Sequence, residues 1–162
     1  MSHADARDLD VQVVRTDDQY DDALDVRYAV FVDEQDVPED LEVDEYEDES
    51  VHFVAYRDGD PAGAARLRER DDDAAKVERV AVLREHRGEG YGREIMREVE
   101  GVAAARGYDR VTLHAQTHGA PFYDRLDYDR VGEEFEEAGI PHVTMEKALA
   151  DGTGGPATSD GS

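Results

Sequence analysis

The apolar positions of this chain fall into short runs with two periodicities. Leu9, Val11 and Val13 alternate with Asp10 and Gln12, which predicts a short strand. Thr16 followed by Gln19 matches a capping box, and Tyr20, Leu24, Tyr28 and Phe31 recur near helical spacing. Together they predict a helix over about 17–31 that buries this stripe. Pro38, inside the acidic stretch 33–49, predicts a loop or a short broken helix. Val51 to Tyr56 and Ala62 to Arg68 read as two strands joined at the tight-turn pair Asp58-Gly59. Val77, Val80 and Val82 predict a third strand ending at Leu83. Their spacing departs from two, which points to a bulge near residues 79–81.

Tyr91, Ile95, Val99 and Val102 form one helical stripe and predict a helix over about 91–106, with Gly107 as its C′ residue. Val111 and Leu113 predict a strand, and Pro121 to Leu126 a short helix with proline in its first turn. Tyr128 to Val131 and His142 to Leu149 read as two last strands on either side of an acidic connection. The order β-α-β-β-β-α-β-α-β-β predicts an α/β fold with a mixed sheet. Residues 1–150 are expected to form a single domain. From Asp151 the chain has no core-forming residue, so residues 151–162 are expected to be a disordered tail.

Composition changes the picture in two ways. The chain has no cysteine, which removes disulfides, a thiol nucleophile and thiolate metal sites. Among its 162 residues are 42 acids and 18 bases, a formal charge of −24. Such a charge strains a compact state by self-repulsion unless salt screens it. High Asp, only two lysines (Lys76, Lys147) and no tryptophan resemble a haloarchaeal or similar high-salt proteome. So acidic a surface is a poor partner for nucleic acid or an anionic membrane. No apolar run approaches the roughly 20 residues of a membrane span, and the acidic N-terminus lacks a signal peptide's pattern. A cytoplasmic protein is expected, and a homodimer is compatible with it.

The charge is uneven. Residues 33–49 hold eleven acids and no base, whereas residues 76–110 hold eight bases against seven acids. Within that second stretch lies Arg87-Gly88-Glu89-Gly90-Tyr91-Gly92-Arg93, between a strand and a strong amphipathic helix. Glycines let backbone amides approach an anion closely, and the free N–H groups of the helix favour phosphate. Arg87 and Arg93 can add charge-assisted bonds. A Walker A loop needs Lys followed by Ser or Thr, which this loop lacks. A dinucleotide fold places its glycines after an early strand, whereas here three strands and an Asp-Gly hairpin come first. A pyrophosphate-bearing coenzyme at a helix terminus fits better.

The pattern Arg87-x-x-Gly90-x-Gly92 after Val80-Ala81-Val82 resembles motif A of the GNAT N-acetyltransferases. Ala120-Pro121-Phe122-Tyr123-Asp124-Arg125-Leu126-Asp127-Tyr128 is similar to that family's motif B, and the resemblance covers roughly residues 11–149. Val30-Phe31-Val32-x-Glu34-Gln35, His52, Arg66 and Phe135-x-x-x-Gly139-Ile140-Pro141-His142 resemble its ElaA-like and YjcF-like branch. The resemblance implies a twisted mixed sheet that splays beside its third core strand and takes acetyl-CoA there. It implies coenzyme contacts from Val80, Ala81, Val82, Arg87, Gly88, Glu89, Gly90, Tyr91, Gly92, Arg93 and Phe122. Gln116 is a candidate contact to coenzyme or substrate. The implied reaction is direct transfer of acetyl to an amine, on a small molecule or a peptide, with no metal.

An amine attacks a thioester only when neutral, and the leaving thiolate gains from a nearby acid. Motif B makes Tyr123 the candidate acid, with packing against the core or the coenzyme as the alternative. Glu78 and His142 are candidate bases. Glu78 could instead be a surface or salt-bridged acid, and His142 could make a structural hydrogen bond. His52 is expected to be a packed or hydrogen-bonded strand residue, and His114 with His118 lacks the spacing of a metal site. Asp127 stands where the family has glycine, a substitution that a left-handed turn tolerates at some cost. The rival readings are a non-catalytic coenzyme A sensor on the same fold and an interaction protein whose glycines only make a turn.

Overall fold

The computed structural model describes residues 9–35, 47–71, 73–88, 90–137 and 139–149. Most of the acidic stretch (36–46), Glu89, Ala138 and the expected tail lie outside them. Seven strands are laid down as β1 (Leu9–Val13), β2 (Val51–Arg57), β3 (Asp60–Glu69), β4 (Ala74–Val82), β5 (Arg110–Gln116), β6 (Asp129–Glu137) and β7 (Ile140–Ala148). The α-helices are α1 (Asp17–Arg27), α2 (Tyr91–Ala105) and α3 (Ala120–Asp124). The strand order is β1-β2-β3-β4-β5-β7-β6, with β4 and β5 parallel and the ladders β1–β2, β2–β3, β5–β7 and β6–β7 antiparallel. This is the mixed α/β sheet expected from the pattern. No helix among the described residues is long and apolar enough to cross a membrane.

The chain divides into two compact units. The described residues up to Arg68, with Arg79–Val99, make the first; Glu69–Glu78, with the described residues from Glu100 on, make the second. In the first, Thr16 caps α1 with the expected box: its side chain accepts from the Gln19 amide while the Gln19 side chain accepts from the Thr16 amide. The buried face of α1 is not the expected one. Ala23, Val26, Arg27 and Val30 are buried, while Tyr20, Leu24, Tyr28 and Phe31 are only half-buried. The large residues drew the stripe one position off, because small Ala23 and a paired arginine occupy the inner face. After Arg27 the chain continues as a π-helical segment, Tyr28–Glu34, whose wider turn also breaks the 3.6 spacing. Val30 and Ala23 pack with Val54, Ala64 and Ala81.

Asp58 (φ 52°) and Gly59 (φ 86°) make the hairpin turn with both central residues left-handed. Gly63 on β3 has a different reason to be glycine. A Cβ there would lie 2.6 Å from Ile95 Cδ1 and 3.1 Å from the Ala81 carbonyl oxygen. Ile95 is fully buried on α2, so it has little room to yield. Gly63→Ala is expected to cost about 1–3 kcal/mol by overpacking, read as a lowered thermal midpoint in high salt.

In the second unit, Val111, Leu113 and Ala115 of β5 are buried with Val143 and Met145 of β7. One expectation fails here. The acidic residues after Val131 are not a connection: β6 runs to Glu137, pairing Phe135 with His142 and Glu137 with Ile140. The register shifts between Val131 and Phe135, which absorbs Gly132 (φ 78°) and two glutamates. An edge strand carries acid readily, since charge blocks pairing with another chain.

Candidate active site

In the first unit, β4 gives way to a single 3₁₀ turn, Arg84–His86, and then to the glycine turn that opens α2. Gly88 has φ 84° and Gly90 φ 86°, a region that costs any other residue strain. A Cβ on Gly88 would meet nothing, so backbone conformation and not crowding selects glycine there. Both glycines are exposed. Tyr91 anchors the helix start from below: it is buried, its hydroxyl accepts from Arg57, and His86 lies against its ring at 5.7 Å. Among the predicted coenzyme residues, Tyr91 therefore has only its backbone to offer. Arg93 is exposed on the first turn.

Arg87 is engaged within its own unit. Its two terminal nitrogens donate to Glu34 at 2.6 and 2.7 Å, and its Nε donates to the Val82 carbonyl at 2.9 Å. Hydrogen bonding to Arg87 holds the Glu34 carboxyl below its usual range. The guanidinium is thus tied to the π-helical segment and to the end of β4, where it braces the turn. On β4, Val80 and Val82 are half-buried and Ala81 is buried. Arg79 takes φ 59°, the irregularity that the broken alternation predicted.

The other candidates lie in the second unit. The parallel ladder of β4 with β5 covers Ala74–Val77 against Arg110–Leu113. Directly paired residues share a face, so Lys76 and Thr112 share one with His114, Gln116, His142, Thr144 and Phe135. Glu78, two residues beyond Lys76, joins them and forms an ion pair with Lys76 at 3.3 Å. The structure therefore brings Glu78, Gln116 and His142 to one polar face. His142 is 7% exposed, its Nδ1 lies 2.7 Å from the Ile140 carbonyl oxygen, and its ring stacks on Phe135. A carbonyl only accepts, so Nδ1 carries the proton and the neutral ring presents Nε2 as an acceptor.

Tyr123 stands on α3, with its ring edge-on to Phe122 at 4.9 Å and to Tyr128 at 5.7 Å. Burial alone pushes its phenol above the ordinary range. Asp127, at the turn after α3, has φ 73°, so the left-handed geometry survives without glycine.

Two further residues of the polar face form a pair that the sequence spacing did not reveal. His114 Nδ1 meets Glu137 Oε1 at 2.8 Å, and Phe135 packs edge-on to the His114 ring at 4.9 Å. The available signal was the period-two pair Phe135 and Glu137 next to Gly139, a hairpin pattern masked by the run of glutamates. His52 sits elsewhere, in the first unit, with Nε2 on the Glu47 carbonyl at 2.9 Å, the structural role expected for it.

Residues 14–149 match the family model described as "Acetyltransferase (GNAT) domain". YjcF of Bacillus subtilis, an uncharacterized N-acetyltransferase by name, is 44% identical over 136 residues, covering 83% of this chain and 96% of that protein. The ElaA protein of Escherichia coli is 34% identical over 130 residues, covering 78% and 85%. The crystal structure of an acyl-CoA N-acyltransferase from Pseudomonas aeruginosa superposes with a TM-score of 0.77 at 31% identity, covering 86% of this chain and 99% of that one.

Proposed function

Because this chain belongs to the GNAT acetyltransferase family, we propose that it transfers acetyl from acetyl-CoA directly to an amine, on a small molecule or a peptide. The observation that carries this reading is the left-handed pair Gly88 and Gly90 at the start of the long helix α2. In this reading the amides of Gly88 to Gly92 hold the pyrophosphate, with Arg93 as the side-chain cation. Arg87 contributes by bracing the turn through Glu34. Backbone groups of Val80, Ala81 and Val82 hold the pantetheine arm, with Phe122 and Gln116 as further contacts. Tyr123 is the acid for the leaving thiolate. Glu78 and His142 contact the acceptor, the first as a charge tied to Lys76 and the second through Nε2. Acetyl-CoA itself supplies the activated acyl group, and the high acidity of the chain points to a cytoplasm rich in salt.

Calorimetric titration with acetyl-CoA in about 2 M KCl tests the coenzyme assignment, since screening is nearly complete at that salt. One-site binding is expected. Gly90→Val, which forces a β-branched residue to φ 86°, is expected to weaken it about tenfold or more. A folded wild-type protein that does not bind acetyl-CoA overturns the reading. Binding without turnover of any amine leaves a coenzyme sensor.

A further inference from the structure

The polar face of the second unit holds more ionisable groups than the proposed roles use. They are Lys76 and Glu78 on β4, Arg110 and His114 on β5, Asp129 and Glu137 on β6, and His142 and Glu146 on β7. Most are committed. Glu78 pairs with Lys76 at 3.3 Å, and Glu146 lies 3.4 Å from Arg70 and 3.8 Å from Arg110. A carboxylate held by a cation is a poor proton acceptor. His142 is nearly sealed, with its ring fixed by the Ile140 carbonyl and by Phe135.

His114 is placed differently. Hydrogen bonding to His114 holds the Glu137 carboxyl below its usual range, with further help from His142 and Lys76 against the effect of burial, so it stays ionised and can only accept. Nδ1 of His114 therefore carries a proton in both charge states, and the neutral ring keeps Nε2 as its basic nitrogen. The Glu137 carboxylate lies behind Nδ1 at 2.8 Å, on the side of the ring away from Nε2. Phe135 fixes the ring plane from the side. The His114 and Glu137 side chains are 30% and 48% exposed, which gives a captured proton a way out to water.

We propose that His114 takes the proton from the incoming amine and that Glu137 is its positioning residue. This rests on the acetyl-transfer reading above. The acceptor arrives as an ammonium, and His114 Nε2 removes one proton to leave a neutral amine. Its lone pair attacks the thioester carbonyl, forming a C–N bond. The tetrahedral adduct then collapses, breaking the C–S bond. The thiolate gains a proton from the Tyr123 phenol, and the phenolate recovers one from the acylated nitrogen. The imidazolium then releases its proton to solvent, which balances the reaction as amide, thiol and one H⁺.

The test is thiol release from acetyl-CoA with a polyamine, an amino sugar and a lysine-bearing peptide, in high salt, from about pH 5.5 to about pH 9.5. Wild type is expected to show an acidic limb in kcat/KM. His114→Gln should lower kcat about 10²-fold and abolish that limb, with acetyl-CoA affinity unchanged by calorimetry. Glu137→Gln should move the limb to lower pH, and Glu137→Asp should restore it; a merely structural carboxylate would move stability and not the limb. If His114→Gln fails to bind acetyl-CoA, the Glu137 pair carries the test. Retention of both kcat and the limb in the variants overturns this assignment and leaves acetyl transfer standing. A wild-type protein that binds acetyl-CoA and acetylates none of the amines overturns the transfer reading and the assignment together.

Discussion

Replacing Glu47 with alanine is expected to remove about 3–5 kcal/mol of stability, the range found when one partner of a buried ion pair is deleted. Glu47 is 5% exposed, and Arg27 and Arg66 are fully buried beside it. Arg27 donates to both of its oxygens at 2.8 and 3.0 Å, Arg66 donates to Oε1 at 2.9 Å, and the Tyr20 hydroxyl donates to Oε2. Burial alone would raise this carboxyl. The hydrogen bonds of Arg27 and Tyr20 and the Arg27 charge outweigh it and pull the pKa from 4.5 down to about 2. A folded-state pKa below the unfolded one adds stability that is present above about 4.5 and lost as pH falls toward about 2. That gap corresponds to about 3 kcal/mol, in line with the expected loss. Since small domains hold about 5–15 kcal/mol in all, the variant should melt far below wild type. Chemical denaturation in high salt reads the difference, and a loss under about 1 kcal/mol would show that the other bonds of Arg27 and Arg66 suffice without this carboxylate. Acid titration of wild type should show the same free energy disappearing between about pH 4.5 and pH 2.

This cluster also shows where sequence reading reaches its limit. Local chemistry was legible: Asp58-Gly59 announced its turn, Thr16 and Gln19 their capping box, and Val77, Val80 and Val82 the irregularity at Arg79. Each depends on neighbours a few residues apart. The partner of a buried arginine does not. Arg27 meets Glu47 twenty residues on, and Arg87 meets Glu34 fifty-three residues back. Nothing in the pattern marks those pairs, so neither the burial of Arg27 nor the Glu34 partner of Arg87 could be read from the sequence. The same holds for His114 and Glu137, which stand on strands β5 and β6, with β7 between them. The glutamates before Gly139 read as solvated loop because charge argued against a strand. What the charge did not reveal was that an edge strand accommodates it.

Tyr123→Phe is expected to lower kcat about 10²–10³-fold, within the range that a positioned proton donor contributes, while leaving the KM for acetyl-CoA within about threefold. The variant deletes one oxygen and keeps the ring, so the edge-on contacts with Phe122 and Tyr128 persist, and stability should change by less than about 1 kcal/mol. The phenol suits this role because burial raises its pKa and keeps it protonated across the neutral range. A thiol ionises near 8.5, below the phenol, so complete transfer to the thiolate is uphill on its own. Donation of a hydrogen bond while negative charge builds on sulfur is favourable, and transfer completes as the acylated nitrogen gives up its proton. This makes a second expectation that a packing role does not share. With a thioester donor whose leaving thiol is more acidic, the sulfur needs less help, and the gap between wild type and Tyr123→Phe should narrow. An unchanged gap with both donors would move Tyr123 from proton donor to a wall of the site. An unchanged kcat in the variant would leave the thiolate to depart without a protein acid.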